Sequence, residues 1–196
     1  MLPSSALLFD CAHSREIAVP FVTLKPGDGD DNFGWWQKID AESSSNEPDA
    51  HWDWKFLIHT YTGESFLATG LRSDDGRIQG AGIFQAGYES LLVEHARAVY
   101  VHRLATAPWN RTAIMGPNVK YKGAGTALAF FGMCYSYEYG FKGRIILSSL
   151  REENTLKFYK RFGFHDTGEV DAEDLPILEL PDDVAKKILV QKGVIQ

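Results

Sequence analysis

Cysteine is scarce in this sequence, since only Cys11 and Cys134 occur among its 196 residues. Two thiols are too few for a disulfide framework, and Cys134 lies in an apolar, helix-like pattern where a free thiol packs as a small hydrophobic group. A secretory signal is not predicted, because the short apolar run near the start follows no basic residues and precedes no small-residue cleavage pattern. We therefore expect a reducing compartment, with a cytoplasmic location.

Long apolar runs and blocks of basic residues are missing as well. No stretch approaches the roughly 18 apolar residues that a membrane helix needs, so no membrane partner is expected. The formal net charge is −6, and no stripe of lysine and arginine is present, so no nucleic-acid partner is expected either. The spacing of cysteine, histidine and aspartate is not typical of a zinc site, and we expect no metal.

What the sequence does contain is the composition of a folded globular protein. Hydrophobic residues make up 44% of the chain and charged residues 23%, which at this length supports one substantial core. Apolar periodicity and turn residues predict seven strands, at 17–24, 65–71, 77–85, 98–105, 144–150, 164–168 and 175–180. They predict helices at 51–61, 124–139 and 152–162 and a last one from Asp182. The predicted order begins mainly with strands and continues with strands that alternate with helices. This order indicates an α+β or α/β protein with a mixed central sheet.

One glycine-rich segment, Lys120 to Thr126 with the sequence KYKGAGT, runs directly into a predicted helix. Two glycines let successive backbone N–H groups point into one concavity at a helix N-terminus, where the helix dipole favours negative charge. The segment is not a P-loop, and it fails the dinucleotide fingerprint because the third small position is Leu128. Spacing alone leaves two interpretations open, a phosphate site and a tight connection.

The segments before and after KYKGAGT help to decide between a phosphate site and a tight connection. Upstream lies the predicted strand AVYVHRLATAP at 98–108, and downstream lies ENTLKFYKRFGFHDTG at 153–168. This combination resembles the GCN5-related N-acetyltransferase (GNAT) superfamily. In that family a loop of pattern R/Q-x-x-G-x-G/A follows the fourth strand and binds the pyrophosphate of acetyl-CoA, and a helix ending in F-Y-x-x-x-G-F carries a tyrosine near the thiol. FYKRFGFH is similar to the corresponding segment of arylalkylamine N-acetyltransferases.

The resemblance covers about 98–168 and implies the GNAT fold, a mostly antiparallel twisted sheet flanked by helices. It implies a single domain over 1–196, with a CoA-binding core at about 98–168 and an acceptor side at about 17–97. Carried over residue by residue, it places the backbone amides of the family loop against the pyrophosphate, namely Lys120, Tyr121, Lys122, Gly123, Ala124, Gly125 and Thr126. Leu104 and Thr106, in the splayed end of the fourth strand, are expected to pair through their backbone with the pantetheine arm.

The same resemblance implies three catalytic candidates. Tyr159 takes the family's general-acid position. His102 falls at a strand position where arylalkylamine enzymes carry a histidine that helps remove the amine's proton, and Tyr100 lies two residues earlier on the same face. A free alkylammonium has a pKa of about 10.4, so a proton must leave before attack. A histidine with a pKa near 6.5 is suited to accept that proton.

Three features depart from the family pattern. The asparagine that the family often carries seven residues before the tyrosine is replaced by Glu152, and Asn154 is out of phase by two, so no asparagine role is assigned. The motif begins with Lys120 instead of arginine or glutamine, and an insertion, WNRTAIMGPNV at 109–119, separates Pro108 from the loop. Arg111 stands where the motif arginine would lie without the insertion. The register of the loop is therefore open between these two positions.

The resemblance implies an enzyme that moves the acetyl group of acetyl-CoA, as acyl donor, to a primary amine by direct attack in a ternary complex. Two alternatives stay open: an acyl-CoA-binding sensor of the same fold in which His102 and Tyr159 are structural, and an interaction protein in which KYKGAGT is only a turn. A small-molecule amine, an antibiotic, and a peptide or protein lysine all stay open as acceptors. Monomer and homodimer are equally open.

Overall fold

The computed structural model describes residues 2–37, 39 and 47–196. Its strands are β1 Ser5–Asp10, β2 Arg15–Thr23, β3 Phe66–Arg72, β4 Ile78–Glu89, β5 Arg97–Thr106, β6 Tyr121–Lys122, β7 Ile145–Ser148, β8 His165–Val170 and β9 Pro176–Leu180. Its α-helices are α1 Trp54–Thr60, α2 Thr112–Met115, α3 Ala124–Glu138, α4 Glu153–Phe162 and α5 Asp182–Gln191. Short 3-10 turns occur in Pro26–Gly34, where the backbone at 30–33 is not helical, and at Pro108–Asn110 and Gly116–Asn118. Within this described part, no helix is long and apolar enough to cross a membrane.

The described strands form one nine-stranded mixed sheet in the order β6-β1-β2-β3-β4-β5-β7-β9-β8. β5 and β7 run parallel. The pairs β1–β2, β1–β6, β2–β3, β7–β9 and β8–β9 are antiparallel. With helices flanking this sheet the protein is of the α+β class, and the predicted mixed, mostly antiparallel sheet is confirmed.

The parallel pair is short. Val99, Tyr100 and Val101 pair with β7, whereas β5 continues to Thr106 beyond the last of these pairs. Parallel strands stay together only as long as their ladder of hydrogen bonds lasts. The second half of β5 therefore extends past its hydrogen-bond ladder with β7. This half contains three of the predicted site residues, His102, Leu104 and Thr106.

Contacts between backbone segments divide the chain into two compact units. The first unit comprises 3–83 and 103–128, and the second comprises 84–102 and 129–196 together with Leu2. Each unit is assembled from separated stretches of the chain.

The first unit has an aromatic core. Trp35 and Trp54 are fully buried with ring centroids 5.7 Å apart, and the indole N–H of Trp35 donates to the carbonyl of Ile78 at 2.8 Å. Helix α1 begins only after Asp53, whose Oδ1 accepts the N–H of Phe56 at 2.9 Å. This N-cap explains why the helix starts later than the predicted 51, since a capping side chain is itself outside the helix.

The start of α3 is fixed by a second apolar cluster of the first unit. This cluster contains Leu8, Val19, Leu71, Tyr121, Ala124, Ala127 and Leu128. Tyr121 is buried between these residues and pairs with Asp10 of β1. The segment that leads into α3 is thus held by both side-chain packing and a short strand.

Helix α3 is buried on nearly all sides along its middle. From Ala127 to Ser136 every residue except Phe130 is buried. A helix that is apolar all round is a core helix. The Cys134 thiol is buried, which raises its pKa to about 11 and keeps it protonated.

In the second unit, α4 has one buried and one exposed face. Tyr159 is buried, and Lys157, Lys160 and Arg161 are exposed. Gly163 ends the helix with φ +103°, and its N–H bonds to the carbonyls of Tyr159 and Lys160. A Cβ at this glycine would lie 2.6 Å from Cγ1 of Val184, so both conformation and space require glycine here.

Two strands were not predicted, β1 and β6. β1 is joined to β2 through Cys11–Ser14, in which Ser14 has φ 50° without the Asn-Gly or Asp-Gly signal of a tight hairpin. β6 has only two residues. β2 pairs with β1 up to Pro20 and with β3 only from Phe21 on, which suits a residue without an N–H.

Candidate active site

The KYKGAGT turn belongs to the first unit, where it joins β6 to α3. Gly123 has φ +97°, in the region that favours glycine. A Cβ added there would find its nearest heavy atom, Cδ2 of Leu8, at 3.8 Å. The backbone conformation, and not lack of space, is therefore what requires glycine at this position.

Gly123 is also the N-cap of α3, because its carbonyl accepts the N–H of Ala127 at 2.9 Å. The N–H groups of the first turn, from Ala124 to Thr126, precede this bond and have no acceptor within the helix. A glycine N-cap offers no side chain to satisfy them. Gly123 and Thr126 are exposed, Gly125 is half-buried and Ala124 is buried, so this helix start is partly open to solvent, and its dipole favours negative charge there.

The backbone N–H groups of the first two loop residues, Lys120 and Tyr121, donate hydrogen bonds within the protein. The N–H of Lys120 donates to the carbonyl of Trp109 at 2.9 Å, and the N–H of Tyr121 donates to Oδ1 of Asn110 at 3.0 Å. These two amides are already used inside the protein. The amides that remain for an anion thus begin after Tyr121.

The Lys120 side chain has an acidic partner. Its Nζ lies 2.9 Å from Oδ2 of Asp75, in the turn between β3 and β4. Burial acts to raise the pKa of Asp75, but hydrogen bonds from Ser73 and Lys120 outweigh it and lower the pKa to about 2. Asp75 is therefore ionised at neutral pH and partly neutralises Lys120.

Arg111, the alternative motif residue, points into the protein. It binds both carboxylate oxygens of Asp49, at 2.6 and 2.5 Å, and Oε2 of Glu47 at 2.7 Å. It also donates to the carbonyl of Thr106 from Nε and Nη2, at 2.9 and 2.6 Å. All three of its nitrogens thus have protein acceptors. This arrangement favours the register based on KYKGAGT.

The strand residues predicted to bind pantetheine are half-buried. Leu104 packs against the cluster that holds the start of α3. The carbonyl of Thr106 accepts the two bonds from Arg111 described above. The insertion at 109–119 therefore contacts the end of β5 as well as the beginning of the turn.

The second unit brings Tyr100 and His102 together on β5. Their ring centroids lie 4.7 Å apart, and the rings are nearly perpendicular. The phenol of Tyr100 is 2.8 Å from Oγ of Ser148, and its ring stacks on Tyr88 at 4.5 Å. His102 Nε2 lies 2.7 Å from Oε1 of Gln85. Two rings from one strand are thus held by polar partners on β4 and β7.

Tyr159 lies on α4 of the same unit. Its ring packs against Phe158 and Phe164, with centroids 5.2 and 5.1 Å away. Burial raises its pKa to about 12. At physiological pH the side chain is therefore a neutral phenol that can donate a hydrogen bond.

The predicted residues are divided between the units. Leu104, Thr106 and the whole turn from Lys120 to Thr126 belong to the first unit, and Tyr100, His102 and Tyr159 belong to the second. Gln85, Tyr88, Ser148 and Asn110 were missed. Gln85 carried one signal, since it is a polar residue in the otherwise apolar segment IFQAG, where a buried amide needs a partner. No group of three acidic, histidine or cysteine side chains able to hold a metal occurs among the described residues.

No protein-family model matches the chain, and no curated protein matches it. Solved structures do resemble it. FdhC, described as a nucleotide-linked sugar GNAT, is 11% identical with a TM-score of 0.62, and the match covers 98% of this chain and 97% of FdhC. AtaTR bound with acetyl-CoA is 15% identical with a TM-score of 0.56, over 87% of this chain and 98% of that one.

A third similar structure, from Corynebacterium glutamicum, is described as histone acetyltransferase HPA2 and related acetyltransferase. It is 16% identical with a TM-score of 0.52, and the match covers 83% of this chain and 94% of that one. These matches cover between 83% and 98% of this chain, well beyond the segment 98–168 that carries the motifs. The chain therefore has the fold of the GCN5-related N-acetyltransferases.

Proposed function

We propose that this protein is an N-acetyltransferase that moves the acetyl group of acetyl-CoA to a primary amine by direct attack in a ternary complex. The observation that carries the proposal is the exposed, glycine-capped start of α3 directly after β6. Support also comes from the fold, because AtaTR, which shares it, was solved with acetyl-CoA.

In this proposal the first unit binds the donor. The N–H groups from Gly123 to Thr126 hold the pyrophosphate, and the exposed Lys122 adds positive charge. Leu104 pairs through its backbone with the pantetheine arm. The carbonyl of Thr106 already accepts two bonds from Arg111, so in this proposal Thr106 pairs with the same arm through its backbone N–H.

The chemical step uses residues of the second unit. The amine must lose a proton to expose its lone pair, and His102 accepts that proton. The nitrogen then attacks the thioester carbonyl carbon, the new C–N bond forms, and the C–S bond breaks to release the CoA thiolate. The acylated nitrogen loses its remaining extra proton, which balances the proton that the thiolate takes up. Tyr100 packs on the imidazole and limits its movement. Products are the N-acetylated amine and CoA.

Tyr159 stabilises the leaving sulfur mainly as a hydrogen-bond donor. Its pKa of about 12 exceeds the pKa of about 8.5 of a cysteine-like thiol by roughly 3.5 units. Complete proton transfer from the phenol to the thiolate would then cost roughly 5 kcal/mol. A hydrogen bond to the developing charge avoids this cost, and the thiolate takes its final proton later.

The proposal also covers the acceptor, the metal requirement, the location and the assembly of the enzyme. A small-molecule amine or a peptide or protein amine serves the reaction equally, and the acetyl group transfers without metal. Cys11 and Cys134 are both free thiols, which supports the cytoplasm as the proposed location. We include a homodimer in the proposal only as an assembly to test by light scattering.

The decisive experiment has two stages. Calorimetric titration with acetyl-CoA and with CoA tests the donor site, and thiol release with a panel of alkyl, arylalkyl and peptide amines tests turnover. Micromolar binding with amine-dependent thiol release supports the enzyme. Binding without turnover of any amine favours the acyl-CoA sensor, and no binding at millimolar cofactor leaves KYKGAGT as a connection.

A further inference from the structure

The insertion at 109–119 is tied to the protein core by one buried amide. Gln79 of β4 is fully buried. Its Oε1 accepts the indole N–H of Trp109 at 2.7 Å and Nδ2 of Asn110 at 3.1 Å, and its Nε2 donates to Oγ of Ser73 at 2.7 Å. Its main-chain carbonyl accepts the N–H of Ala107 and Nδ2 of Asn110.

Asn110 connects this amide to the turn. Its Nδ2 donates to both oxygens of Gln79, and its Oδ1 accepts the N–H of Tyr121 at 3.0 Å. Turning the amide over would set an NH₂ group against an N–H donor and an oxygen against two oxygens. The orientation of Asn110 is therefore determined by its surroundings.

The contact at Tyr121 is reinforced by its neighbours. The carbonyl of Trp109 accepts the N–H of Lys120 at 2.9 Å. Trp109 and Asn110 thus hold Lys120 and Tyr121 directly, although the chain makes an excursion through 111–119 between them. Two residues after Tyr121 comes Gly123, where the anion-binding arrangement of N–H groups begins.

We propose that Asn110, itself held by Gln79, is a positioning residue that sets the affinity of the KYKGAGT turn for the pyrophosphate of CoA. This inference rests on the proposed function. Several N–H groups bind one anion well only when their directions are fixed in advance, because ordering a loose turn on binding costs conformational entropy. Asn110 carries no charge, so its effect on the turn is geometric and not electrostatic.

The test compares Asn110→Ala with Ser73→Ala. Both changes remove a partner of Gln79, but only the first releases the N–H of Tyr121. We expect Asn110→Ala to raise the Kd for CoA, measured by calorimetry, at least tenfold. It should raise KM for acetyl-CoA by a similar factor and leave kcat and the KM for the amine within twofold of wild type. Ser73→Ala also removes a hydrogen bond to Asp75, but Asp75 keeps its ion pair with Lys120, so this variant should leave the Kd for CoA within twofold.

Thermal unfolding of each variant shows whether the comparison is made on folded protein. Should Asn110→Ala fail to fold, Asn110→Ser replaces it, because a hydroxyl also cannot span from Gln79 to Tyr121. An unchanged Kd for CoA in the folded Asn110 variant overturns the inference, and so does an equal loss of affinity in Ser73→Ala. A wild-type protein that binds no CoA overturns the proposed function itself, which is a different result from unchanged binding by the variant.

Discussion

The imidazole Nε2 of His102 and the carboxamide oxygen of Gln85 lie 2.7 Å apart on neighbouring strands. A carboxamide oxygen only accepts hydrogen bonds, so Nε2 carries the proton in this pair. In a neutral imidazole the lone pair then resides on Nδ1. Gln85 thus leaves the lone pair of the neutral imidazole on Nδ1, the nitrogen that accepts the amine's proton in the proposed reaction.

Gln85→Leu should therefore lower kcat by about tenfold, a part of the 10²–10⁴ that a general base supplies. Leucine cannot accept the Nε2 proton, so the imidazole divides between tautomers and ring orientations. The Kd for CoA should stay within twofold. Steady-state kinetics and the ¹⁵N chemical shifts of His102 measure the two effects.

Gln85→Glu is the matched isosteric change. A carboxylate beside Nε2 favours the imidazolium and raises the pKa of His102. The base must be unprotonated to act, so the acidic limb of kcat/KM against pH should move to higher pH. An acidic limb that stays in place in this variant would contradict a base role for His102.

Tyr159→Phe should lower kcat between tenfold and a hundredfold while the Kd for CoA changes less than twofold. The phenylalanine keeps the packing with Phe158 and Phe164 but cannot donate a hydrogen bond to the leaving sulfur. Single-turnover measurements with saturating acetyl-CoA separate this effect from product release. Equal rates for variant and wild type would remove Tyr159 from the mechanism.

The same tyrosine predicts a difference in alkaline stability. Its pKa is about 12 in the folded protein and about 10 in the unfolded chain. The unfolded protein loses the phenol proton first, so the folded state becomes less favoured as the pH rises. The contribution of Tyr159 to the free energy of unfolding is therefore intact below pH 10 and is lost as the pH rises towards 12. By pH 11 the loss is roughly 1 kcal/mol.

Urea unfolding of wild type and Tyr159→Phe at pH 8, 10 and 11 isolates this contribution. Tyr135, whose pKa burial and Tyr139 also raise, contributes to both proteins alike and cancels in the comparison. The free energy of unfolding should fall less with pH in the variant. Parallel pH dependences would mean that Tyr159 is not buried from water in solution.

Gly123→Asp should abolish CoA binding in a calorimetric titration. Aspartate places negative charge beside the N–H groups that hold the pyrophosphate, and it strains a backbone with φ +97°. Gly123→Ala separates the two effects, because it introduces the strain without the charge. Gly168 on β8 also has a positive φ, +80°. Gly168→Asp is therefore the control that introduces aspartate and backbone strain outside the turn, and it should leave CoA binding unchanged. Normal CoA binding by Gly123→Asp would show that the turn is not the pyrophosphate site.

Local patterns predicted much of the fold. The helices α3, α4 and α5 and the strands from β2 to β5 were found within a few residues of their bounds, because apolar periodicity and glycine or proline boundaries act within one segment. β1 and β6 escaped because strands this short are stabilised by their neighbours in the sheet and not by their own sequence. Helix α1 began late because a single side chain, Asp53, caps it.

The resemblance carried by KYKGAGT and FYKRFGFH indicated the turn and Tyr159 as candidate site residues, and these assignments stay predictions. The sequence did not indicate which residues contact them. The partners of these residues come from distant segments: Asp75 pairs with Lys120, Gln85 with His102, and Asn110 with Tyr121. Such pairs depend on which strands lie side by side.

The sequence by itself determined the composition of a folded globular chain, the main helices and strands, and the glycine that the turn after β6 requires, because these depend on local conformation and apolar spacing. Only the tertiary structure decided that Arg111 is used inside the protein by Asp49 and Thr106, and that Gln79 fastens the insertion to the core. The physical reason is that burial creates the need for a polar partner, and the partner is chosen by proximity in space.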